Sequence, residues 1–141
     1  MIATRQFHFP EDYDAAAHLW KSMESGVVFG RSDTQEEISK KIARDPDLFL
    51  IAESDNELIG TIIGGFDGRR GMIYHLAVAD GYREKGIGSQ LLAEVENRLR
   101  AKGCLKCCLM IFSDNGEAAR FYERHGWQHM SHDLVFGKEL L

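Results

Sequence analysis

Between Leu76 and Leu92 the chain reads Leu-Ala-Val-Ala-Asp-Gly-Tyr-Arg-Glu-Lys-Gly-Ile-Gly-Ser-Gln-Leu-Leu, a β-type run that passes through a glycine-studded turn into a helix. Ile87, Leu91, Leu92, Val95 and Leu99 hold a 3.6-residue period, and Gly103 stands just past their end. Cys104–Phe112 then reads as another strand. Strand, helix and strand in succession form a crossover, which makes the two strands parallel neighbours in one sheet. The turn also presents backbone N–H groups at the positive end of a helix dipole, where phosphate oxygens bind well. A phosphate-bearing ligand docking at Arg83–Ser89 is therefore expected.

The segments around this unit read as strands and helices in alternation. Ile2–Phe9 is a first strand, and Pro10 opens a helix with Glu11 and Asp12 in its first turn. Tyr13, Ala16, Ala17, Trp20 and Met23 form its buried stripe. Thr34 with Glu37 is a capping-box pattern for a second helix that Asp45-Pro46 ends. Asp47–Glu53 and Glu57–Phe66 flank Ser54-Asp-Asn56 as an antiparallel hairpin, and Met72–Val78 follows a second turn at Asp67–Gly71. Gly64-Gly65 marks a bulge or a close backbone approach. Asn115–His125 is a helix with Ala118, Phe121, Tyr122 and His125 along one side, and Trp127–Lys138 supplies one or two closing strands. The fold class is α/β (α+β): a mixed, mostly antiparallel sheet of six to seven strands with helices on both faces.

The chain's 141 residues fit one domain, residues 1–141, with a genuine core. No apolar stretch approaches a membrane span, and the N-terminus lacks a basic-then-apolar secretory pattern, so no membrane partner and a cytoplasmic location are expected. Net charge is −5 without a basic stripe, which disfavours nucleic acid as a partner.

Cys104-Leu-Lys-Cys107 matches a redox or zinc spacing, with Cys108 beside it. On a strand, however, positions three apart face opposite sides, and no second cysteine pair completes a tetrahedral site. His129 and His132 likewise lack a third ligand. The expectation is buried small hydrophobes and no metal.

Arg83-x-x-Gly86-x-Gly88 lacks the third glycine of the dinucleotide fingerprint and the Gly-Lys-Ser/Thr ending of the triphosphate loop. Taken alone it fits a ligand-free helix turn as well as a phosphate cradle. Asp114-Asn115-Gly-Glu-Ala-Ala-Arg-Phe-Tyr-Glu-Arg-His-Gly126-Trp127 gives it a context. Together, Leu76-Ala-Val78 with Tyr82–Gly88, and Asn115, Ala118-Ala119, Phe121-Tyr122 and Gly126-Trp127, resemble the two coenzyme motifs of the GNAT superfamily of acyl-CoA-dependent N-acetyltransferases. The strand order resembles that superfamily too, and Gly64–Gly71 is similar to a bacterial branch called YpeA-like.

That resemblance implies acetyl-CoA as co-substrate. Its pyrophosphate would take amides from Arg83, Glu84, Lys85, Gly86, Ile87, Gly88 and Ser89, with Gly86 and Gly88 sparing space or backbone strain. Its pantetheine arm would pair with Leu76, Ala77 and Val78 in a gap between the fourth and fifth strands, where Leu76 or Ala77 N–H would face the thioester oxygen. Asn115 would bond the arm or cap its helix. The resemblance makes Tyr122 the acid that protonates the departing thiolate; core packing beside Phe121 is the competing role.

The amine acceptor needs a base. Relatives that modify ribosomal proteins carry a glutamate where this chain has Met110. His75 and Tyr74 are the nearest titratable alternatives, only one of which reaches a given face, and a water chain to Glu24 or Asp67 is another. The expected function is N-acetylation of a small molecule or protein by direct transfer in a ternary complex. The alternatives are a non-catalytic acyl-CoA-binding module and a thiol-redox protein. Acceptor choice is expected to reside in Trp20–Thr34 and in the last strands. Many relatives dimerise, so a homodimer is allowed, though no stripe in the sequence dictates it.

Overall fold

Apolar runs joined by tight polar turns build most of the sheet in the computed structural model, which describes Met1–Leu141. Strands β1 (Ile2–Gln6), β2 (Phe49–Ser54), β3 (Glu57–Phe66) and β4 (Gly71–Val78) lie side by side, each antiparallel to the next. β5 (Cys107–Leu109) joins β4 in parallel. The β2–β3 turn places Asp55 (φ 51°) and Asn56 (φ 67°) in the left-handed region that two-residue hairpins require. In the β3–β4 turn, Asp67 Oδ1 accepts from the amides of Arg69 and Arg70 at 2.7 Å each.

Four helices cover the sheet: α1 (Tyr13–Ser22), α2 (Gln35–Arg44), α3 (Ile87–Ala101) and α4 (Gly116–Arg124). Thr34 caps α2 by accepting from Glu37 N at 3.3 Å, and the helix stops at Asp45 before Pro46. Side chains alternate along β2, so Phe49 and Ile51 pack on Tyr13, Ala16, Trp20 and Ile38, while Leu48 and Leu50 pack on Leu91, Leu92 and Val95. Both faces are thus dry, which is why β2 is apolar at successive positions rather than alternating. Each of the leucine, isoleucine, valine and phenylalanine side chains among them contributes about 1.5–3 kcal/mol of transfer free energy. No helix is long and apolar enough to cross a membrane.

The sheet has five strands rather than six to seven. β5 covers only three of the residues from Cys104 to Phe112, and Trp127–Lys138 forms no strand. α1 begins at Tyr13, later than Pro10, because Asp12 is engaged by Arg5 (2.7 and 3.0 Å) and by the His8 amide (2.7 Å). Gly64 and Gly65 sit in regular register with Ile73 and Met72, so the bulge is not there; a Cβ on Gly64 would meet Leu48 O and Val95 Cγ1 at 3.4 Å. The β3–β4 bulge lies further on. Thr61 pairs with Ala77 and Ile63 with Tyr74, which leaves one extra residue on β4 at His75-Leu76.

Candidate functional site

A row of unused donors opens α3. None of the backbone amides from Glu84 to Ser89 donates to a protein acceptor; the first that does is Gln90, to Gly86 O at 3.0 Å. Glu84 (φ 61°) and Gly86 (φ 79°, ψ 8°) are both left-handed, and such alternation curls successive N–H groups toward one point. That cradle suits a pyrophosphate. Gly86 owes its place to backbone conformation, since nothing lies within 4 Å of a Cβ built there. Gly88 is different: a Cβ would make only ordinary contacts with Phe121 Cζ (3.5 Å) and Val78 Cγ2 (3.9 Å), and Gly88 lies outside the positive-φ region. Arg83 turns back instead, with Nε donating to Val78 O at 3.2 Å and lying 3.6 Å from Asp80, so it braces the end of β4.

Next to the cradle, β4 loses its neighbour. The β4–β5 ladder stops at Ile73 opposite Leu109, and Tyr74–Val78 has no strand on that side. Leu76, Ala77 and Val78 therefore flank an opening into which an extended ligand could pair. The bulge is what turns β4 away, with His75 at φ 49°. Such a conformation costs a non-glycine residue of order 1–3 kcal/mol and persists only where its surroundings enforce it. Here they do: the buried Thr61 hydroxyl accepts from Trp20 Nε1 at 2.9 Å and donates to His75 O at 2.8 Å.

His75 points to the α1–α2 side, packed edge-on to Trp20 with ring centroids 4.8 Å apart. Its Nε2 is 2.8 Å from Asp33 Oδ1. Asp33 is buried and fixed from both ends: Oδ2 accepts from Gly30 N at 2.9 Å, and its carbonyl accepts from Tyr13 OH at 2.7 Å. An ionised carboxylate only accepts, so it holds the proton on Nε2 and leaves the Nδ1 lone pair available. Nδ1 has no protein partner. Tyr74, by contrast, is exposed and makes no side-chain hydrogen bond.

On α4, Asn115 caps the helix by accepting from Ala118 N at 3.1 Å. Its side-chain nitrogen comes near Gly26 in the α1–α2 loop. Tyr122 packs between Phe121 and Trp127, with centroids 5.1 and 5.8 Å away, and its hydroxyl has no protein partner. Burial pushes its pKa up to about 12. Tyr122 lines a cavity of about 1110 Å³ beside β5, and none of Arg83–Ser89 lines it. α4 links the two: Phe121 lies against Gly88, and His125 bridges Ser89 Oγ to Phe121 O at 2.8 Å each.

A second cavity, of about 820 Å³, lies between the α1–α2 loop and the β5–α4 loop. Trp20, Glu24, Phe29, Asp114, Asn115 and Glu117 are among its walls. Lys21, also on the wall, stands 4.5 Å over the Phe29 ring.

Asp33 is not legible in the sequence as a partner of His75. It reads there as an acid ahead of a helix cap, and nothing local joins residues 42 positions apart. Asp67 is occupied in its own turn, where hydrogen bonds from Arg70 and Arg69 hold its carboxyl below the usual range. Met110 is exposed. The three cysteines are free, and burial pushes Cys107 up to about 11, against the low value an activated thiol needs.

Comparison with known proteins agrees with this geometry. Residues 13–127 match the Acetyltransferase (GNAT) family. The chain is 36% identical over 131 residues to acetyltransferase SG1711 of Sodalis glossinidius, covering 93% of this chain and 91% of the relative. It is 34% identical to acetyltransferase ECA0875 of Pectobacterium atrosepticum, over the same shares of both. Among solved structures, Ard1 from Thermoplasma volcanium superposes with a TM-score of 0.77 at 25% identity, covering 89% of this chain and 81% of that one. PaiA N-acetyltransferase from Thermoplasma acidophilum, solved with coenzyme A, shares the fold with a TM-score of 0.73 at 22% identity over 89% and 88% of the two chains. A strand–turn–helix with unused amides, a β4 that parts from β5, and a family match over most of the length converge: this chain belongs to the GNAT family of acetyltransferases.

Proposed function

We propose that the protein moves an acetyl group from acetyl-CoA directly to an amine, with both bound at once. The observation that carries this reading is the run of unengaged amides from Glu84 to Ser89 beside the open edge of β4. The co-substrate supplies an activated thioester; the chain supplies everything else. Amides of the cradle hold the pyrophosphate, and Leu76–Val78 align the arm along β4. The amide of Leu76 or Ala77, beside the bulge, faces the negative charge that develops on the carbonyl oxygen.

His75 is the base in this reading. Through Nδ1 it takes a proton from the acceptor ammonium, while Asp33 keeps the ring oriented and offsets the charge it gains. Tyr122 donates its proton to the leaving sulfur, and solvent returns one to the phenol. The smaller cavity receives the acceptor. Glu24, Asp114 and Glu117 on its walls favour a cation, and Trp20 connects that cavity to His75.

Incubation with acetyl-CoA and a panel of amines, with free thiol as readout, tests the reading. Thiol release that depends on added amine is the expected result; coenzyme binding with no release under any amine would leave only a non-catalytic acyl-CoA-binding module. Asp33→Asn should lower kcat by about 10- to 100-fold, the worth of one charged hydrogen bond, with KM for acetyl-CoA unchanged. Unaltered kcat would remove Asp33 and His75 from the proton path.

A further inference from the structure

Where α4 ends, one histidine joins it to the first turn of α3. The amide of His125 turns to Tyr122 O at 2.9 Å, and its ring Nδ1 reaches Phe121 O at 2.8 Å instead. Ring Nε2 stands 2.8 Å from Ser89 Oγ, and the ring lies on Phe121 with centroids 4.5 Å apart. Ser89 belongs to the first turn of α3, and its amide is one of the unused donors of the cradle. His125 is exposed, so solvent protons reach it freely.

These contacts decide which group donates. A carbonyl oxygen only accepts, so Nδ1 carries a proton whatever the charge on the ring. When the ring is neutral, Nε2 is a bare lone pair and the Ser89 hydroxyl gives its proton to it. The hydroxyl oxygen then turns only lone pairs toward the cradle, and these repel a phosphate oxygen. When the ring is protonated the bond reverses. Nε2–H donates to Ser89 Oγ, and the hydroxyl proton is free for a phosphate.

The surroundings leave room for that charge. His125 closes the C-terminal end of α4, where the helix dipole favours a cation, and neither ring nitrogen pairs with a carboxylate. The charged and titratable groups nearby are Glu84 and Lys85 ahead of α3, Glu123 and Arg124 on α4, and Glu96, His129 and Asp133 along the larger cavity that His125 shares. Glu96 is already engaged by Trp127 and Arg100. A bound pyrophosphate would add negative charge beside a ring that has no ion pair of its own.

We propose that His125 is a positioning residue for the coenzyme: its ring takes up a solvent proton when phosphate enters the cradle, and so makes the Ser89 hydroxyl a donor toward it. The inference rests on the acetyl-CoA reading above. Its sign follows from the proton taken up: affinity is highest on the acid side of the range, about pH 5 to 8, in which histidines change charge, and falls toward the alkaline side.

Titration calorimetry of the full-length protein with dephospho-coenzyme A is the test. That ligand keeps the pyrophosphate but lacks the phosphomonoester, which titrates in the same range. Across buffers of different ionisation enthalpy, binding should take up a measurable fraction of one proton, and affinity should fall roughly tenfold from about pH 6 to about pH 8. His125→Gln, which cannot titrate, should bind with no uptake and a flat pH profile while circular dichroism stays unchanged. Ser89→Ala keeps the histidine and removes the hydroxyl, and should at least halve the uptake. Full uptake in either variant would overturn the proposal. Wild-type binding without uptake would overturn it while leaving the cradle standing, whereas no binding of coenzyme A or its dephospho form would strike the cradle and this inference together.

Discussion

Gly86→Val should weaken coenzyme A binding by roughly a hundredfold or more while the protein still folds. The residue sits at φ 79°, ψ 8°, where a β-branched side chain is disfavoured by about 1–2 kcal/mol. Relief of that strain rotates the peptide planes on either side, and the amides of Glu84 to Ser89 then no longer converge. A charge-assisted hydrogen bond to phosphate is worth about 1.5–3 kcal/mol, so breaking two suffices for the expected change. Titration calorimetry with coenzyme A reads the affinity, and circular dichroism with thermal unfolding reads the fold. Gly88→Ala is a useful companion, because the protein accommodates that Cβ at ordinary contact distances. Any fall in its affinity reports on what approaches the helix from outside. Full affinity in both variants would dismantle the cradle as a pyrophosphate site.

Tyr122→Phe should reduce kcat by about 10²- to 10⁴-fold, the usual range for a positioned general acid, with coenzyme affinity changed less than twofold. The hydroxyl has no protein hydrogen bond to lose, and the ring packing against Phe121 and Trp127 survives the substitution. The variant therefore isolates the proton. The sign of the pH dependence follows from burial: in the proposed role the protonated phenol is the active form, and burial pushes its pKa up to about 12. Loss of this proton should thus contribute no alkaline fall in rate through the neutral and mildly basic range. Equal losses of kcat and affinity in Tyr122→Phe would assign the residue to binding instead.

Elements whose signal is local are legible in the sequence. Ile87, Leu91, Leu92, Val95 and Leu99 are all buried on α3, as their period implies, and Asp55-Asn56 turns the hairpin it announces. What the sequence misplaces depends on distant partners. Cys104–Phe112 and Trp127–Lys138 have the composition of strands, but a strand exists only where another backbone lies alongside. β5 keeps a neighbour for three residues because β4 bends away at His75, and the tail has none. Local flexibility points to Gly64-Gly65 for the bulge. It lies at His75 because Trp20 and Thr61, on other elements, hold that carbonyl out of the ladder. In the candidate site, the cradle is readable from its glycines, whereas the Asp33–His75 contact joins the α1–α2 connection to β4 across 42 positions and leaves no local signal.

Trp20 holds two offices at once. Its ring walls the smaller cavity, the one proposed to receive the acceptor, while its indole nitrogen, through Thr61, fixes the one carbonyl that keeps β4 kinked. If the proposed acceptor site is correct, retargeting this scaffold to a new amine is a matter for Glu24 to Phe29, which line the same chamber and make no hydrogen bond to Thr61 or His75. Exchanging Trp20 itself would reshape that cavity and release the kink of β4 in a single step.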